Sequence, residues 1–265
     1  VHFLPDTLDG SIKLPKMFFG IFKNYVTKFY KTADHLVVVN PIFINELVKF
    51  GIDKNKVTYI PNYVSKESFY KKTEKEVALL KDKYGLPKDK FIILGVGQVQ
   101  TRKGVKDFIE VAKQNPDLYF VWCGGFSFGK ITDGYQELKE IWDNPPQNVK
   151  FLGIIPRAEM NDIYNIADVL FMPSYNELFP MSILEAVNLQ KPILLRNLEL
   201  YEDILFHKYL YGENNEDFSE QLKKLSKDKD LYEKASKFSK EISDYYSKEH
   251  VADLWRDFYV KVSKK

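Results

Sequence analysis

Short apolar runs alternate with longer amphipathic stretches along most of this chain. After residue 35 the runs are rich in Val, Ile, Leu and Phe, and the stretches between them repeat apolar residues at helical spacing. Such alternation predicts βαβ units and a parallel sheet. The predicted strands are His35–Val39, Val57–Ile60, Phe91–Leu94, Tyr119–Trp122, Val149–Leu152, Asp168–Phe171 and Pro192–Leu195, and the predicted helices lie near 41–50, 74–84, 104–113, 133–142, 156–167 and 182–189.

Both ends of the chain are typical of helices. From about 214 to 262 apolar residues recur at helical spacing with no strand pattern between them. Residues 13–31 hold five lysines and no acid. Such a basic amphipathic helix suits an anionic membrane, but packing of its apolar face on its own domain is the interpretation we favour. Wound as a helix, the segment has an apolar face of Phe18, Phe22, Tyr25, Val26 and Phe29 and a basic face of Lys16, Lys23, Lys28 and Lys31.

Composition and charge exclude several classes of protein. The 265 residues are 45% hydrophobic and 15% aromatic, which supports a substantial core and argues against disorder. The 39 basic and 37 acidic residues leave a net charge of +2, so we expect no nucleic-acid partner. The single cysteine, Cys123, cannot form an internal disulfide, which favours a core role and the cytoplasm. No apolar run approaches the roughly 18–20 residues that span a bilayer.

The strongest chemical signal follows the predicted strand Asp168–Phe171. There Glu177 and Glu185 lie eight residues apart. Glu177 falls at the carboxyl end of a strand, which is where parallel sheets bind ligands. Pro180 suits the first turn of the next helix, because it has no N–H that would go unpaired.

The start of that helix predicts an anion site. The amides of Met181, Ser182 and Ile183 would be free of helical partners, and Glu185 would lie about one turn further on. An anion flanked by two carboxylates that bind hydroxyls is what a nucleoside diphosphate sugar requires. The alternative is an ordinary helix with an acidic residue near its first turn.

Several passages occur in an order that resembles the retaining glycosyltransferase family 4. The resemblance covers roughly residues 33–262. It implies an α/β GT-B fold, in which a C-terminal Rossmann-like domain binds the donor and an N-terminal one binds the acceptor. The passages are Lys56–Asn62, Gly97–Gly104, Asn148–Gly153, Ile163–Val169, Pro173–Ser174 and Glu177–Ala186.

The resemblance also implies roles for individual residues. Glu177 would contact the hexose hydroxyls, Glu185 the ribose hydroxyls, and the amides near Ser182 the β-phosphate. Further donor-site residues would be Gly97, Ile154, Pro180 and Met181. His2 occupies the place of a family histidine near the reaction centre in the acceptor domain.

A second motif, Gly95–Gly104, follows the predicted strand Phe91–Leu94. No third glycine completes a dinucleotide fingerprint, and the next strand does not end in an acid, so we expect no NAD. In the family this loop carries an Arg and a Lys that face the pyrophosphate. Lys103 matches, but Gln98 stands at the Arg position, so we expect Arg102 to supply the second charge. The alternative is a solvated basic helix start.

These residues together imply a mechanism without a metal or other cofactor. Negative charge grows on the β-phosphate as the glycosidic bond breaks, and Lys103, Arg102 and the helix N-terminus would stabilise it. Glu177 and Glu185 would not act as a glycosidase pair, since one binds the hexose and the other the ribose. The family resemblance implies retention of the anomeric configuration.

Two further passages narrow the acceptor. The long loop Gly124–Lys130 and the stretch Leu195–Asp203 resemble diacylglycerol glucosyltransferases of Gram-positive bacteria, although surface variation alone would also explain the loop. We therefore predict transfer of glucose from UDP-glucose to a lipid acceptor such as diacylglycerol, at the inner face of the cell membrane and with peripheral contact to anionic lipid. A polysaccharide, teichoic-acid or polyprenol-linked acceptor is the alternative within enzymes. A non-catalytic nucleotide-sugar binding module is the alternative outside them.

The start of the chain and its turns predict a domain organisation. The chain opens at Val1 without an initiator Met or signal peptide, so we expect a fragment that binds UDP without transferring sugar by itself. The turn at Pro61 marks the best boundary. We predict the remnant of an acceptor domain at 1–60, a donor domain at 61–245 and a helix that crosses back at 246–265.

Overall fold

A computed structural model describes residue 1 and residues 16–264 of the protein, and for residues 16–19 it describes the backbone only. The described residues form two parallel sheets and helices that cover them. The strands are β1 (Leu36–Val38), β2 (Val57–Tyr59), β3 (Ile92–Val96), β4 (Tyr119–Cys123), β5 (Val149–Gly153), β6 (Val169–Met172), β7 (Ile193–Arg196) and β8 (Leu210–Gly212). The helices are α1 (Lys16–Lys31), α2 (Ile42–Lys49), α3 (Glu74–Lys83), α4 (Val105–Lys113), α5 (Tyr135–Asp143), α6 (Met160–Ile166), α7 (Met181–Asn188), α8 (Glu202–Leu205), α9 (Asn215–Lys227), α10 (Lys229–Tyr245) and α11 (Lys248–Ser263).

The larger sheet has the strand order β5-β4-β3-β6-β7-β8, and its paired strands are parallel. The chain therefore builds outward from β3 in one direction and then, from β6, in the other. This is the doubly wound order, whose direction reverses between β3 and β6. The reversal opens a crevice at the carboxyl ends of those two strands, where ligands bind in such sheets.

Two apolar clusters cover the faces of this sheet. On one face, Phe108 of α4 stacks on Phe171 at 5.6 Å and meets Phe120 and Trp122 edge to face at 5.3 and 5.0 Å. The other cluster contains residues of α6 and α7 and continues into β1 and α2. The small sheet, in which β1 pairs with β2, therefore shares a core with the larger one.

The structure confirms the predicted strands and the α/β parallel architecture. Two short elements were missed, β8 and α8. Strand β8 has three residues and lies at the sheet edge with Tyr211 exposed, so it lacks the apolar run that marked the buried strands. Cys123 is a core residue, as predicted, and burial raises the pKa of its thiol to about 12.

Helix α1 forms where the lysine-rich pattern predicts it, but its packing differs from the interpretation we favoured. Val26 is buried, whereas Tyr25 and Phe29 are 70% and 65% exposed, and Ile21 is also exposed. Among the described side chains of this face, most therefore lie open to solvent, while Val26 and the neighbouring Tyr30 pack inward. Within the described residues, no helix has both the length and the hydrophobicity of a membrane span.

Candidate functional site

The candidate site lies at the crevice between β3 and β6. The loop after β3 leads to a 3₁₀ turn at Thr101–Lys103, and the loop after β6 carries Glu177. The two loops touch at Gly104, where a Cβ atom would lie 2.3 Å from the Pro173 carbonyl oxygen. Gly104 also has a left-handed φ of 67°, which glycine adopts without strain. The amide of Tyr175 donates to the Arg102 carbonyl at 2.9 Å and fixes this approach.

Two cations and one carboxylate meet where these loops converge. Lys103 Nζ lies 2.6 Å from Glu177 Oε1, and Arg102 Nη1 lies 3.7 Å from Glu177 Oε2. The Arg102 guanidinium also donates to the Asn176 carbonyl. The side chains of Lys103 and Glu177 are 13% and 5% exposed, so this charge cluster is largely dry. Burial lowers the pKa of Lys103, and the charge of Glu177 opposes that shift.

Helix α7 begins beside this cluster. Its first residue is Met181, so Pro180 precedes the helix in an extended conformation instead of occupying the first turn. The prediction of three free amides is wrong for Ile183, whose N–H donates to the Pro180 carbonyl at 3.1 Å. No hydrogen-bond partner of the Met181 or Ser182 amides is found among the described residues. These two N–H groups form the anion-binding end of the helix.

The second carboxylate, Glu185, lies one turn into α7 and is buried. Arg157, in a 3₁₀ turn after β5, donates a hydrogen bond to it and supplies its countercharge. The guanidinium of Arg157 also lies 4.7 Å from the ring centre of Phe69. Burial, and then the charge of Glu185, raises the pKa of the nearby Tyr164 phenol. Arg157 is 64% exposed and Glu185 only 3%, so the arginine covers the carboxylate from the solvent side.

The other predicted donor-site residues occupy loops at the same edge of the sheet. The Gly97 carbonyl accepts from Trp122 Nε1 at 3.0 Å, and Gln98 is partly buried. Ile154, after β5, is exposed and lies against Gly125. His2 lies outside the described residues.

Sequence reasoning missed three residues around the site. Asn40 is fully buried, and its Nδ2 donates to the carbonyls of Leu178 at 3.1 Å and Leu200 at 3.2 Å. It therefore ties the residue after Glu177 to the end of the small sheet. A polar residue directly after the apolar run of β1 was the available signal. Arg157 and Tyr201 offered none, because the carboxylates that they lie near, Glu185 and Glu177, are distant in sequence.

Tyr201 is fully buried, and its hydroxyl has no hydrogen-bond partner among the described residues. Burial raises the pKa of this phenol, and the charge of Glu177 raises it further. Among the residues that the structure describes, no group of three or more His, Cys, Asp or Glu side chains is placed to hold a metal ion. The expectation of a site without a metal stays a prediction.

Comparison with known sequences identifies the family. The sequence model of the glycosyl transferases group 1 family matches residues 77–242. The chain is 48% identical to the alpha-galactosylglucosyldiacylglycerol synthase of Streptococcus pneumoniae, over 98% of this chain and 70% of that protein. It is 31% identical to the processive diacylglycerol alpha-glucosyltransferase of Acholeplasma laidlawii, over 77% of this chain and 61% of that protein. The chain belongs to this glycosyltransferase family.

Solved structures confirm the GT-B fold. The Anabaena protein HepE, in complex with UDP and glucose, superposes with a TM-score of 0.81 at 16% identity, over 100% of this chain and 70% of that one. Sucrose-phosphate synthase from Thermosynechococcus elongatus gives a TM-score of 0.81 at 18% identity, over 99% of this chain and 67% of that one. These structures share the fold, while the roles of single residues and the domain boundaries remain predictions.

We predict that Asn40→Ala lowers the free energy of unfolding by about 1–3 kcal/mol, because two buried carbonyls lose their side-chain donor. Urea unfolding followed by circular dichroism measures this. Asn144→Ala is the matched control, since Asn144 is exposed and, among the described residues, its side chain makes a single long hydrogen bond, 3.4 Å, to the Glu140 carbonyl. Equal stability of the two variants would show that Asn40 does not hold the Leu178 loop.

Proposed function

We propose that this protein transfers a hexose from a uridine diphosphate sugar to a lipid related to diacylglycerol, with retention of configuration. The observation that carries the proposal is the meeting of Lys103, Arg102 and Glu177 at the switch point, beside the open amides of α7. Two cations against one carboxylate leave positive charge where a diphosphate would lie. The similarity to glycolipid synthases supports the same conclusion.

In this proposal the donor lies along the start of α7. The β-phosphate accepts from the amides of Met181 and Ser182 and faces Lys103 and Arg102. The hexose hydroxyls donate to Glu177, which already accepts from Lys103. The ribose hydroxyls reach Glu185 one turn further along α7, and Arg157 gives up part of its contact with that carboxylate.

The bond between the hexose C1 and the β-phosphate oxygen breaks, and its electron pair leaves with that oxygen. The acceptor hydroxyl bonds to C1 from the same face, and its proton passes to the departing phosphate oxygen. The growing negative charge is stabilised by preorganised donors in a dry site, as in an oxyanion hole. Because Lys103, Arg102 and two backbone amides supply this positive charge, we propose that no metal is required.

The names of the relatives support a lipid acceptor and leave two candidates for the hexose. The relative at 48% identity is an alpha-galactosylglucosyldiacylglycerol synthase, which favours galactose and a glucosylated diacylglycerol. The relatives at 31% and 24% identity are a diacylglycerol alpha-glucosyltransferase and an alpha-monoglucosyldiacylglycerol synthase, which favour glucose. We include both donors in the test below.

A lipid acceptor also gives the open face of α1 a use. Tyr25 and Phe29 expose aromatic rings, and Lys28 and Lys31 lie in the same part of the helix. Aromatic rings beside lysines suit the interface of an anionic membrane. We propose that this helix contributes to peripheral contact with the inner face of the cell membrane.

The transfer assay presents the protein, at its full natural length, with vesicles that contain diacylglycerol or glucosyldiacylglycerol and with radiolabelled UDP-glucose or UDP-galactose. We expect a labelled glycolipid in the organic extract. Lys103→Gln should reduce its rate by about 100-fold or more, as loss of an oxyanion-stabilising donor does. The matched control Lys113→Gln changes an exposed lysine at the far end of α4. Hydrolysis of the donor without any lipid product would contradict the lipid acceptor.

The division of roles between the two carboxylates is tested by calorimetric titration of UDP. Glu185→Gln should weaken UDP binding about tenfold, because a charge-assisted contact to the ribose becomes neutral. Glu177→Gln should leave UDP affinity within about twofold and abolish transfer, because its partner is the hexose. The same loss of UDP affinity in both variants would refute the separate assignments.

The membrane proposal predicts sedimentation with vesicles that contain phosphatidylglycerol. Each lysine near such a surface contributes about 1 kcal/mol, so Lys28→Glu with Lys31→Glu should lower the partition coefficient by more than about tenfold. High salt should have the same effect. Lys223→Glu with Lys227→Glu on α9 is the control. Unchanged sedimentation of the α1 variant would remove this helix from the membrane contact.

A further inference from the structure

A second cavity lies at the opposite end of the sheet from the donor site. Its volume is about 390 Å³, and it is bordered by α3, the end of α6, the turn after α7 and one face of α10. Asp168, on its wall, directly precedes β6, whereas the donor loop follows β6. At about 3.3 Å per residue, the five steps along the strand from Asp168 to Pro173 separate the two sites by about 16 Å. The cavity is therefore no extension of the donor crevice.

Lysines dominate the wall of this cavity. Five of them border it, against the two carboxylates of Glu74 and Asp168. Two of the lysines pair with carboxylates that do not line the cavity: Lys72 lies 3.3 Å from Asp162, and Lys88 lies 2.7 Å from Asp82. The three that remain are Lys71, Lys81 and Lys191.

The remaining three lysines come from different parts of the chain. Lys71 Nζ donates to Gln190 Oε1 at 2.7 Å, and Lys191 Nζ donates to the Asn165 carbonyl at 3.2 Å. Both contacts are to neutral oxygens, which orient an ammonium group without neutralising it. For Lys81, no ion pair is found among the described residues. Asp168, also on the wall, is the carboxylate whose charge acts on Lys191 and Lys81. Three cations therefore share one nearby carboxylate, and a net positive charge remains at the cavity.

Asp168 offsets only part of the cost of gathering these lysines. Burial lowers the pKa of Lys191 to about 8, the charge of Asp168 opposes that shift, and the charges of Lys71 and Lys81 add to it. Burial also lowers the pKa of Lys71. Like charges held close together repel, and a bound anion relieves both the repulsion and the cost of burial.

The size and charge of the cavity indicate the kind of anion. A volume of about 390 Å³ exceeds what a halide or a single carboxylate fills and lies in the range of small-molecule sites. Lysine is a compact point charge with three donors, a combination that suits a phosphate group. Ala78 and Val77 add apolar wall on the α3 side, which a carbon skeleton attached to the phosphate would contact.

We propose that this cavity is a second ligand site, in which Lys71, Lys81 and Lys191 bind the phosphate dianion of a phosphate monoester. The phosphate belongs either to a soluble molecule or to a lipid headgroup, and the chemistry at the lysines is the same for both. The site is distinct from the donor crevice and takes no part in the transfer step.

The test uses glycerol 3-phosphate in calorimetric titrations of the protein at pH 7.5 and constant ionic strength. Lys71→Gln with Lys81→Gln should raise its Kd by at least about tenfold, since each lysine makes a charge-assisted contact. Both side chains are accessible enough that the variant should fold, whereas Lys191 is more deeply placed. Lys223→Gln with Lys227→Gln controls for net charge, and Lys103→Gln controls for binding in the donor crevice.

A parallel measurement separates the two sources of phosphate. Vesicles of phosphatidylcholine with and without phosphatidic acid are sedimented with the same set of variants. Loss of glycerol 3-phosphate binding in the Lys71 and Lys81 variant alone supports a soluble ligand. Loss of its sedimentation with phosphatidic acid, without measurable glycerol 3-phosphate binding, supports a lipid headgroup. If neither kind of binding depends on Lys71 and Lys81, or if Lys103→Gln abolishes it, the proposal is overturned.

Discussion

The contact between the loops after β3 and β6 is the constraint on which the rest of the candidate site depends. The strand order makes β3 and β6 neighbours although 72 residues separate Val96 from Val169. Gly104 lets one loop lie against Pro173 of the other, where any side chain would collide with the carbonyl. Lys103 of the first loop is thereby held 2.6 Å from the Glu177 carboxylate of the second, and Arg102 lies 3.7 Å from it.

Each buried carboxylate of the site is matched with a cation. Glu177 has Lys103, and Glu185 has Arg157. A buried charge without a partner would cost several kcal/mol, so these pairs make it possible to keep two carboxylates in a dry crevice. The pairs differ in exposure. Lys103 is enclosed with Glu177, whereas Arg157 covers Glu185 from the solvent side, which gives the second carboxylate a route to a ligand.

The two ends of the larger sheet have different electrostatic character. At the carboxyl ends of the strands, each buried carboxylate is paired with a cation, and the first backbone amides of α7 are hydrogen-bond donors. At the amino ends, lysines gather with few countercharges around a cavity. Since strands of the same sheet connect both ends, one scaffold positions the crevice proposed for a sugar nucleotide and the cavity proposed for a phosphate monoester. The open face of α1 adds a third surface, on the side of the small sheet.

The elements and the kinds of residue in the candidate site were predictable from local sequence patterns. Buried parallel strands are continuous apolar runs, so β3 to β7 were predictable, and Glu177 and Glu185 followed from their places after a strand and on a helix. The contact between Lys103 and Glu177 was not predictable, because the two residues are 74 positions apart in the sequence. Pro180 lies in an extended conformation before α7 instead of in its first turn, and one of the three predicted free amides has a partner.

Which charges form pairs, and which remain without a direct ion pair, depends on the packing of segments that are distant in sequence. Arg157 and Tyr201 carry no local signal of their role, and the place of Asn40 after an apolar run does not show what it binds, since each acts on a residue from another part of the chain. The same holds for Lys71, Lys81 and Lys191, which look like ordinary surface lysines in the sequence. Local patterns record the period of burial along one segment, whereas a site depends on the order of the strands, which places distant segments side by side.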